Sequence, residues 1–182
     1  MIRDLNGKEK INQSADIVVV GAGTVGLIVS SMLAQNGFSV LNLESGDYEQ
    51  KNETHPLNEV VYKKSTYNSS TNGRFRCLGG TSTRWAGAMI PFLSKDIEDG
   101  QWPIFPEEIL KYLNKVEDLF GLSHESYESP DMLRGNNINL IPRLAKFPSY
   151  NKRNVFNIFE NYIKSENSLT VWINATVNKF KV

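Results

Sequence analysis

The sequence has few of the residues that crosslink small secreted proteins or bind metal ions. Its 182 residues include one cysteine, Cys77, and two histidines, His55 and His124. A single cysteine cannot form an internal disulfide, and one thiol with two distant histidines lacks the ligand spacing of a zinc site. The composition therefore favours a reducing compartment, and we expect a cytoplasmic protein without a bound metal.

Long apolar runs and an excess of charge of either sign are also missing. Lysine plus arginine equals aspartate plus glutamate at 20 each, so the composition predicts no binding to nucleic acid or to an anionic membrane. The longest early apolar run, Ile17–Val20, is too short to cross a bilayer. The first fifteen residues carry five charged side chains and no apolar h-region, so we expect no secretory signal.

Residues 16–44 carry the strongest positive signal in the chain. Four consecutive apolar residues predict a parallel strand that is buried on both faces. Gly21, Gly23 and Gly26 follow with the G-x-G-x-x-G spacing. In this motif the first glycine permits a tight turn, the second lets backbone approach a pyrophosphate, and the third lets a helix pack closely on the strand. The N-terminus of the helix predicted over residues 24–35 then favours an anion.

The second strand of this unit, predicted over residues 38–43, ends at an acidic residue. Glu44 follows Gly26 by eighteen residues, close to the spacing of the acid that binds a ribose diol. Its charge would repel a 2′-phosphate, so the pattern favours FAD or NAD over NADP. A glycine turn without a ligand remains the alternative, and the choice between FAD and NAD stays open here. The predicted buried stripe of the helix is Val25, Ile28, Val29, Met32 and Leu33.

The rest of the chain gives less regular patterns. Residues 46–72 are polar and predict a long excursion, with a short strand considered over residues 57–62. A Gly-Gly-Thr-Ser stretch at residues 79–82 predicts a turn that presents backbone N–H groups and hydroxyls at a helix start. Further predicted elements are helices over residues 106–120 and 154–164 and strands over residues 169–173 and 175–182.

Four segments, in this order, carry a family resemblance: residues 20–26 with 43–46, residues 78–85, residues 102–104 with the helix after them and residues 120–122, and residues 169–177. Together they resemble the N-terminal part of the glucose–methanol–choline (GMC) oxidoreductases, FAD enzymes that oxidise alcohols, sugars and related CH–OH donors. The Gly-Gly-Thr-Ser-Thr-Arg-Trp stretch is most similar to that of pyranose-oxidase-like and related bacterial members. There a histidine that carries covalent flavin stands where this chain has Arg84, so we expect non-covalent FAD.

The resemblance implies an α/β fold of the FAD/NAD(P)-binding, Rossmann-like, three-layer type that is incomplete at its C-terminus. It implies FAD-binding segments in residues 1–95, a helical or irregular excursion over residues 96–165, and returning strands over residues 166–182. The implied cofactor-binding residues are Gly21, Gly23, Thr24, Val25, Gly26, Glu44, Ser45, Gly79, Gly80, Thr81, Ser82, Trp85, Gly87, Ala88 and Val177. The pyrophosphate is expected at the first glycine turn, the ribose at Glu44, the adenine near Val177 and the flavin along residues 80–88.

The resemblance also implies a function, the oxidation of CH–OH groups of a small alcohol or sugar by hydride transfer to flavin. No catalytic residue is assigned, because the family's base, a histidine paired with a histidine or asparagine, lies near the C-terminus of its members. We expect His55 and His124 to be exposed loop residues and Cys77 to be a small buried side chain. Two alternatives stay open: an inactive FAD-binding fragment, completed by a separate C-terminal half, and an NAD-dependent Rossmann dehydrogenase.

Overall fold

The computed structural model describes residues 1–6, 11–51, 55–67, 71, 73–96, 102–129 and 142–181. These residues form two compact units. The first unit comprises Met1–Arg84 and Asn154–Val182, and the second comprises Trp85–Arg153. The helix predicted after residue 154 belongs to the first unit, although the sequence grouped it with the middle excursion, because it packs on the first helix of the chain.

A parallel four-stranded sheet forms the centre of the first unit, as predicted for an α/β fold. Its strands are β1 (Ile2–Asp4), β2 (Ile17–Val20), β3 (Val40–Leu43) and β4 (Leu169–Ile173). The spatial order is β1-β4-β3-β2, and each neighbouring pair runs parallel. The parallel arrangement brings the carboxyl ends of all four strands to one edge of the sheet.

The helices are α1 (Thr24–Gln35), α2 (Pro106–Leu110), α3 (Leu113–Phe120), α4 (Tyr150–Arg153) and α5 (Val155–Ser165). In the first unit α1 and α5 pack on one another and on the sheet. Asn154 caps α5 by accepting a hydrogen bond from the Phe156 N–H at 3.0 Å. The opposite face of the sheet is covered by a cluster around Leu41 and Trp172. Among the helices in the described ranges, none has the length and apolar character needed to cross a membrane.

The predicted burial of the first strand and the first helix was wrong. Val18 and Val20 are 52% and 53% exposed, because β2 lies at the edge of the sheet. Helix α1 buries Leu27, Ser30, Ser31 and Ala34, whereas Val25, Val29 and Met32 of the predicted stripe are exposed. Small side chains face the sheet because the helix approaches it closely, and the Asn42 amide on β3 donates to Ser30 Oγ at 2.7 Å.

Three local predictions also need correction, and one strand was missed. Residues 175–181 form no strand, and residues 57–62 form none either, since a 3₁₀ turn at Pro56–Asn58 overlaps the start of that range. The helix predicted over residues 106–120 is divided into α2 and α3 at Lys111 and Tyr112. Strand β1 was not predicted, because its partner β4 lies more than 160 residues away and three residues give no periodic signal.

The second unit is built from α2, α3, α4 and paired loop segments. Met89 and Lys146 exchange two backbone hydrogen bonds of 2.9 Å, which ties the start of the unit to its end. The Trp85 ring packs edge-on against Phe120 with centroids 6.1 Å apart. Trp102 is 50% exposed and contacts the Phe92 ring.

Candidate functional site

A cavity of about 710 Å³ opens in the first unit where β2 and β3 end. Ligands of open parallel sheets bind outside the carboxyl ends of the strands, so the cavity lies where the fold places a ligand. Five of the predicted cofactor-binding residues line it: Gly21, Glu44, Ser45, Thr81 and Val177. The other predicted residues of this unit lie in the two glycine turns and in the first turn of α1.

The first glycine turn has the geometry that its motif requires. A Cβ on Gly26 would lie 1.9 Å from the Gly21 carbonyl oxygen, so only glycine permits this contact between helix and strand. A Cβ on Gly23 would meet nothing within 4 Å, and its φ of −75° suits any residue. Gly23 is therefore required neither by packing nor by backbone conformation, and the open space beside it is where a ligand can approach the backbone.

Helix α1 begins at this open surface. Gly23 is its N-cap, no side chain caps it, and its first turn, which includes Thr24 and Val25, contains no acidic residue. The N–H groups and the partial positive charge of the helix are thus available to an anion. This arrangement suits the pyrophosphate of a dinucleotide.

The second glycine turn packs directly on the first. The Gly79 N–H donates to the Ala22 carbonyl at 2.9 Å. A Cβ on Gly80 would lie 2.9 Å from the Gly23 Cα, and the φ of +54° at Gly80 also favours glycine. Two segments that are more than fifty residues apart in the sequence thus form one surface of glycine backbone.

The hydroxyl side chains that follow Gly80 have different surroundings. Thr81 is exposed and lines the cavity, so its hydroxyl is available to a ligand. Ser82 is buried, donates to the Gly79 carbonyl at 2.6 Å and accepts from the Val155 N–H at 3.0 Å. The Ser82 hydroxyl therefore holds the second glycine turn against the start of α5.

The Glu44 carboxylate joins the strand end to both neighbouring turns. Its Oε2 accepts from the Ala22 N–H at 2.7 Å, and its Oε1 accepts from the Gly46 N–H at 2.8 Å and the Ser45 hydroxyl at 3.3 Å. Glu44 is 6% exposed. A carboxylate has about four acceptor positions, so these bonds leave capacity for a ribose hydroxyl.

We expect the Glu44→Gln substitution to destabilise the first unit by about 1–3 kcal/mol. A glutamine side chain has one acceptor oxygen, so either the Ala22 or the Gly46 N–H loses its partner and faces an NH₂ group. Urea unfolding followed by far-UV circular dichroism measures the loss. Glu49→Gln, the same change at an exposed position, is the matched control and should unfold as the wild type does. Equal stability of the two variants would show that the Glu44 carboxylate is not required.

Arg76 adds a fixed cation to the cavity wall. Its Nε donates to Asn58 Oδ1 at 2.8 Å, and its guanidinium also donates to Ser45 Oγ at 2.8 Å. Asn58 is 2% exposed and donates to the Arg74 carbonyl at 2.9 Å. Arg76 thus anchors Asn58, which lies in the long polar excursion, to the cavity wall. Asn58 was missed, because a polar residue in an unpatterned segment gives no signal.

Three predicted flavin-site residues lie in the second unit. Trp85 Nε1 donates to the Arg153 carbonyl at 2.6 Å. A Cβ on Gly87 would lie 3.0 Å from Arg153 Cγ, and Ala88 lines a cavity of that unit. Within this unit, Trp85 and Gly87 hold the chain against the end of α4.

The remaining reactive side chains have structural partners. His55 is half-buried, not exposed as expected. Its Nδ1 accepts a hydrogen bond from the Leu57 N–H at 3.1 Å. His124 is exposed and pairs with Asp118 at 2.8 Å. Cys77 is buried as predicted, and burial raises the pKa of its thiol. In the described residues, no group of three or more His, Cys, Asp and Glu side chains could hold a metal ion.

Comparison with known proteins gives remote similarities only. No family model matches the chain. Among curated proteins it is similar to long-chain-alcohol oxidase FAO3 of Arabidopsis thaliana, with 27% identity over 165 aligned residues that cover 78% of this chain and 22% of the oxidase. Among solved structures it is similar to L-amino acid deaminase from Proteus vulgaris, with a TM-score of 0.32 and 16% identity over 92% of this chain and 41% of that one. The chain thus spans less than a quarter of the length of the curated relative.

Proposed function

We propose that this chain is the FAD-binding part of a flavin oxidoreductase that oxidises CH–OH groups of alcohols or sugars. The observation that carries the proposal is the contact between the two glycine turns, where Gly80 packs on Gly23 beside the N-terminus of α1. A nicotinamide-binding Rossmann domain has no need of a second glycine turn at this position. The similarity to a long-chain-alcohol oxidase supports an oxidoreductase, and we further propose membership of the GMC family.

The residues present fit an adenine dinucleotide. In the proposed site, the open backbone at Gly23 and the start of α1 bind the pyrophosphate, and the Glu44 carboxylate accepts hydrogen bonds from a ribose. Further along the cavity wall, Thr81 and the backbone near Val177 contact the bound cofactor. FAD, when bound, supplies a ring that accepts a hydride equivalent from the substrate carbon. The protein's part is to bind and orient that cofactor.

The base that accepts the substrate hydroxyl proton is proposed to come from outside this sequence. In the described part of the chain, neither histidine lines the cavity at the strand ends. We propose that a further C-terminal segment, or a separate C-terminal half, supplies the base, and that the protein acts in the cytoplasm. On this proposal the 182-residue chain alone binds FAD but does not turn over alcohols.

We expect the purified chain to bind FAD reversibly and to release it on acid denaturation. Titration with FAD, followed by quenching of the flavin fluorescence, measures binding. Precipitation with trichloroacetic acid should leave the flavin in the supernatant, because Arg84 cannot form the histidyl–flavin bond of related proteins. Flavin in the pellet would contradict non-covalent binding. Binding of NADH without binding of FAD would instead support the dehydrogenase alternative.

A further inference from the structure

The second unit contains a cavity with mainly apolar walls. Its volume is about 750 Å³, within the range of about 300–1,000 Å³ that is typical of small-molecule sites. The walls come from residues 88–92 and from α2 and α3, and they include Met89, Ile109 and Val116. Glu108 and Lys111 are charged residues among the lining, and both are exposed. A cavity of this kind binds a ligand through burial of apolar surface and not through hydrogen bonds.

Contacts within the protein hold one wall of this cavity in place. Trp85 is held by its 2.6 Å hydrogen bond to the Arg153 carbonyl and by its contact with Phe120. Met89 is held by its two backbone hydrogen bonds to Lys146. All of these contacts are made between protein groups, so the order of this wall does not depend on a ligand.

Tyr127, one of the two tyrosines that line this cavity, has polar partners already. Its hydroxyl hydrogen-bonds the buried Glu117, and the Lys146 ammonium lies 3.9 Å from its ring centroid. Burial and the Glu117 carboxylate raise the pKa of Tyr127 to about 12, so the hydroxyl stays protonated at neutral pH. Tyr127 therefore contributes its ring to the wall. The other polar lining residues, Glu108, Lys111 and Tyr112, are exposed, so a sugar in the interior of the cavity would find few polar groups to replace its lost water.

We infer that this cavity binds the aliphatic chain of a long, unbranched primary alcohol. Its apolar walls match a methylene chain, and the exposed Glu108 and Lys111 can contact the hydroxyl end. The similarity of the sequence to a long-chain-alcohol oxidase supports this class of ligand over a sugar. The role of the ligand as substrate depends on the proposed function, whereas its binding in the cavity does not.

The test is a binding series of 1-alkanols on the 182-residue chain, with displacement of the neutral fluorophore N-phenyl-1-naphthylamine as the readout. From 1-hexanol to 1-decanol, each added methylene should tighten binding by roughly fourfold, the ratio expected for burial of one CH₂. Glucose should not displace the probe. An affinity that does not rise with chain length would overturn the inference, as would displacement by glucose.

Val116→Trp fills the cavity and should weaken 1-decanol binding at least tenfold. Val61→Trp is the matched control, because Val61 is 91% exposed and belongs to the other unit, and it should bind as the wild type does. Ile109→Asp, which places a charge in the wall, is a second variant if Val116→Trp does not fold. Equal binding by the wall variants and the control would overturn the inference. If self-association of the chain displaced the probe in the absence of any 1-alkanol, the inference would also be overturned, because a second copy of the chain would then occupy the cavity.

Titration with FAD separates a failure of this inference from a failure of the proposed function. If the chain binds FAD but no 1-alkanol, the proposed function stands and the inference about the cavity is wrong. A chain that binds 1-decanol but no FAD has the apolar site without the proposed oxidoreductase role. Val116→Trp should keep the FAD affinity of the wild type, since Val116 does not line the cavity at the strand ends.

Discussion

A Gly23→Ala protein should fold as the wild type does and bind FAD about 100-fold more weakly, a loss of about 2.7 kcal/mol in binding free energy. The added methyl group meets nothing within 4 Å, and the φ of −75° accepts alanine, so the free protein has no reason to be strained. The methyl group does occupy the surface where the proposed function places the pyrophosphate, at the start of α1. Quenching of FAD fluorescence gives the dissociation constant, and thermal unfolding without FAD gives the stability.

Gly26→Ala is the informative comparison, because the same methyl group has the opposite effect three residues later. Its Cβ would lie 1.9 Å from the Gly21 carbonyl oxygen, which is backbone and cannot move aside cheaply. We expect this variant to lose about 1–3 kcal/mol of stability even without FAD, the usual cost of overpacking. If Gly23→Ala unfolded at the same lower temperature as Gly26→Ala, Gly23 would be a packing residue. If it bound FAD like the wild type, the proposed position of the pyrophosphate would be wrong.

The parts of the fold that were predictable depend on local sequence. The bounds of α1 were predicted because Gly23 and the Asn36-Gly37 pair mark its ends within the helix's own sequence. The buried face of α1 was not predicted. Hydrophobicity alone indicates that Val25 and Val29 are buried, but the close packing of α1 on β3 buries Ser30, which accepts a hydrogen bond from Asn42. Strand β1 needs a partner that is distant in sequence, so no window around it reveals the pairing.

In the candidate site, too, local sequence motifs were predictable and contacts between distant residues were not. The glycine motifs were recognised because each needs particular residue types at fixed spacing, and the structure brings Gly23 and Gly80 together. The role of Ser82 in holding α5 was not predictable, since its partner Val155 lies 73 residues later. Glu44 was expected to face a ribose, and its bonds to the backbone N–H groups of Ala22 and Gly46 add a structural role that spacing alone does not reveal.

Lys146→Met should destabilise the second unit by about 3–5 kcal/mol, because it leaves a buried carboxylate without its cation. The Lys146 ammonium lies 2.5 Å from Glu117 Oε1 and 2.6 Å from the carbonyl oxygens of Ser123 and Glu125. The side chains of Glu117 and Lys146 are 2% and 13% exposed. Urea unfolding monitored by tryptophan fluorescence measures the change. Lys164→Met, which removes the cation of the more exposed Lys164–Glu160 pair, is the matched control and should change the midpoint little.

The pH dependence of this defect identifies its cause. Burial alone would raise the pKa of Glu117, but hydrogen bonds from Lys146 and Tyr127 and the lysine charge outweigh it and lower the pKa. A lowered folded-state pKa stabilises the protein above the unfolded pKa, about 4.3 for glutamate, and this stabilisation is lost as the pH falls through the folded value. Without Lys146, burial raises the pKa of the Glu117 carboxyl group above its unfolded value. The Lys146→Met defect should therefore be largest at neutral pH and shrink as the pH falls, because the unpaired carboxyl group becomes protonated in the folded variant before it does so in the unfolded chain. Adding Glu117→Gln should recover part of the loss at neutral pH, because the buried charge is then absent. A defect that is independent of pH and unchanged in the double variant would show that lost packing, and not the orphaned carboxylate, destabilises the unit.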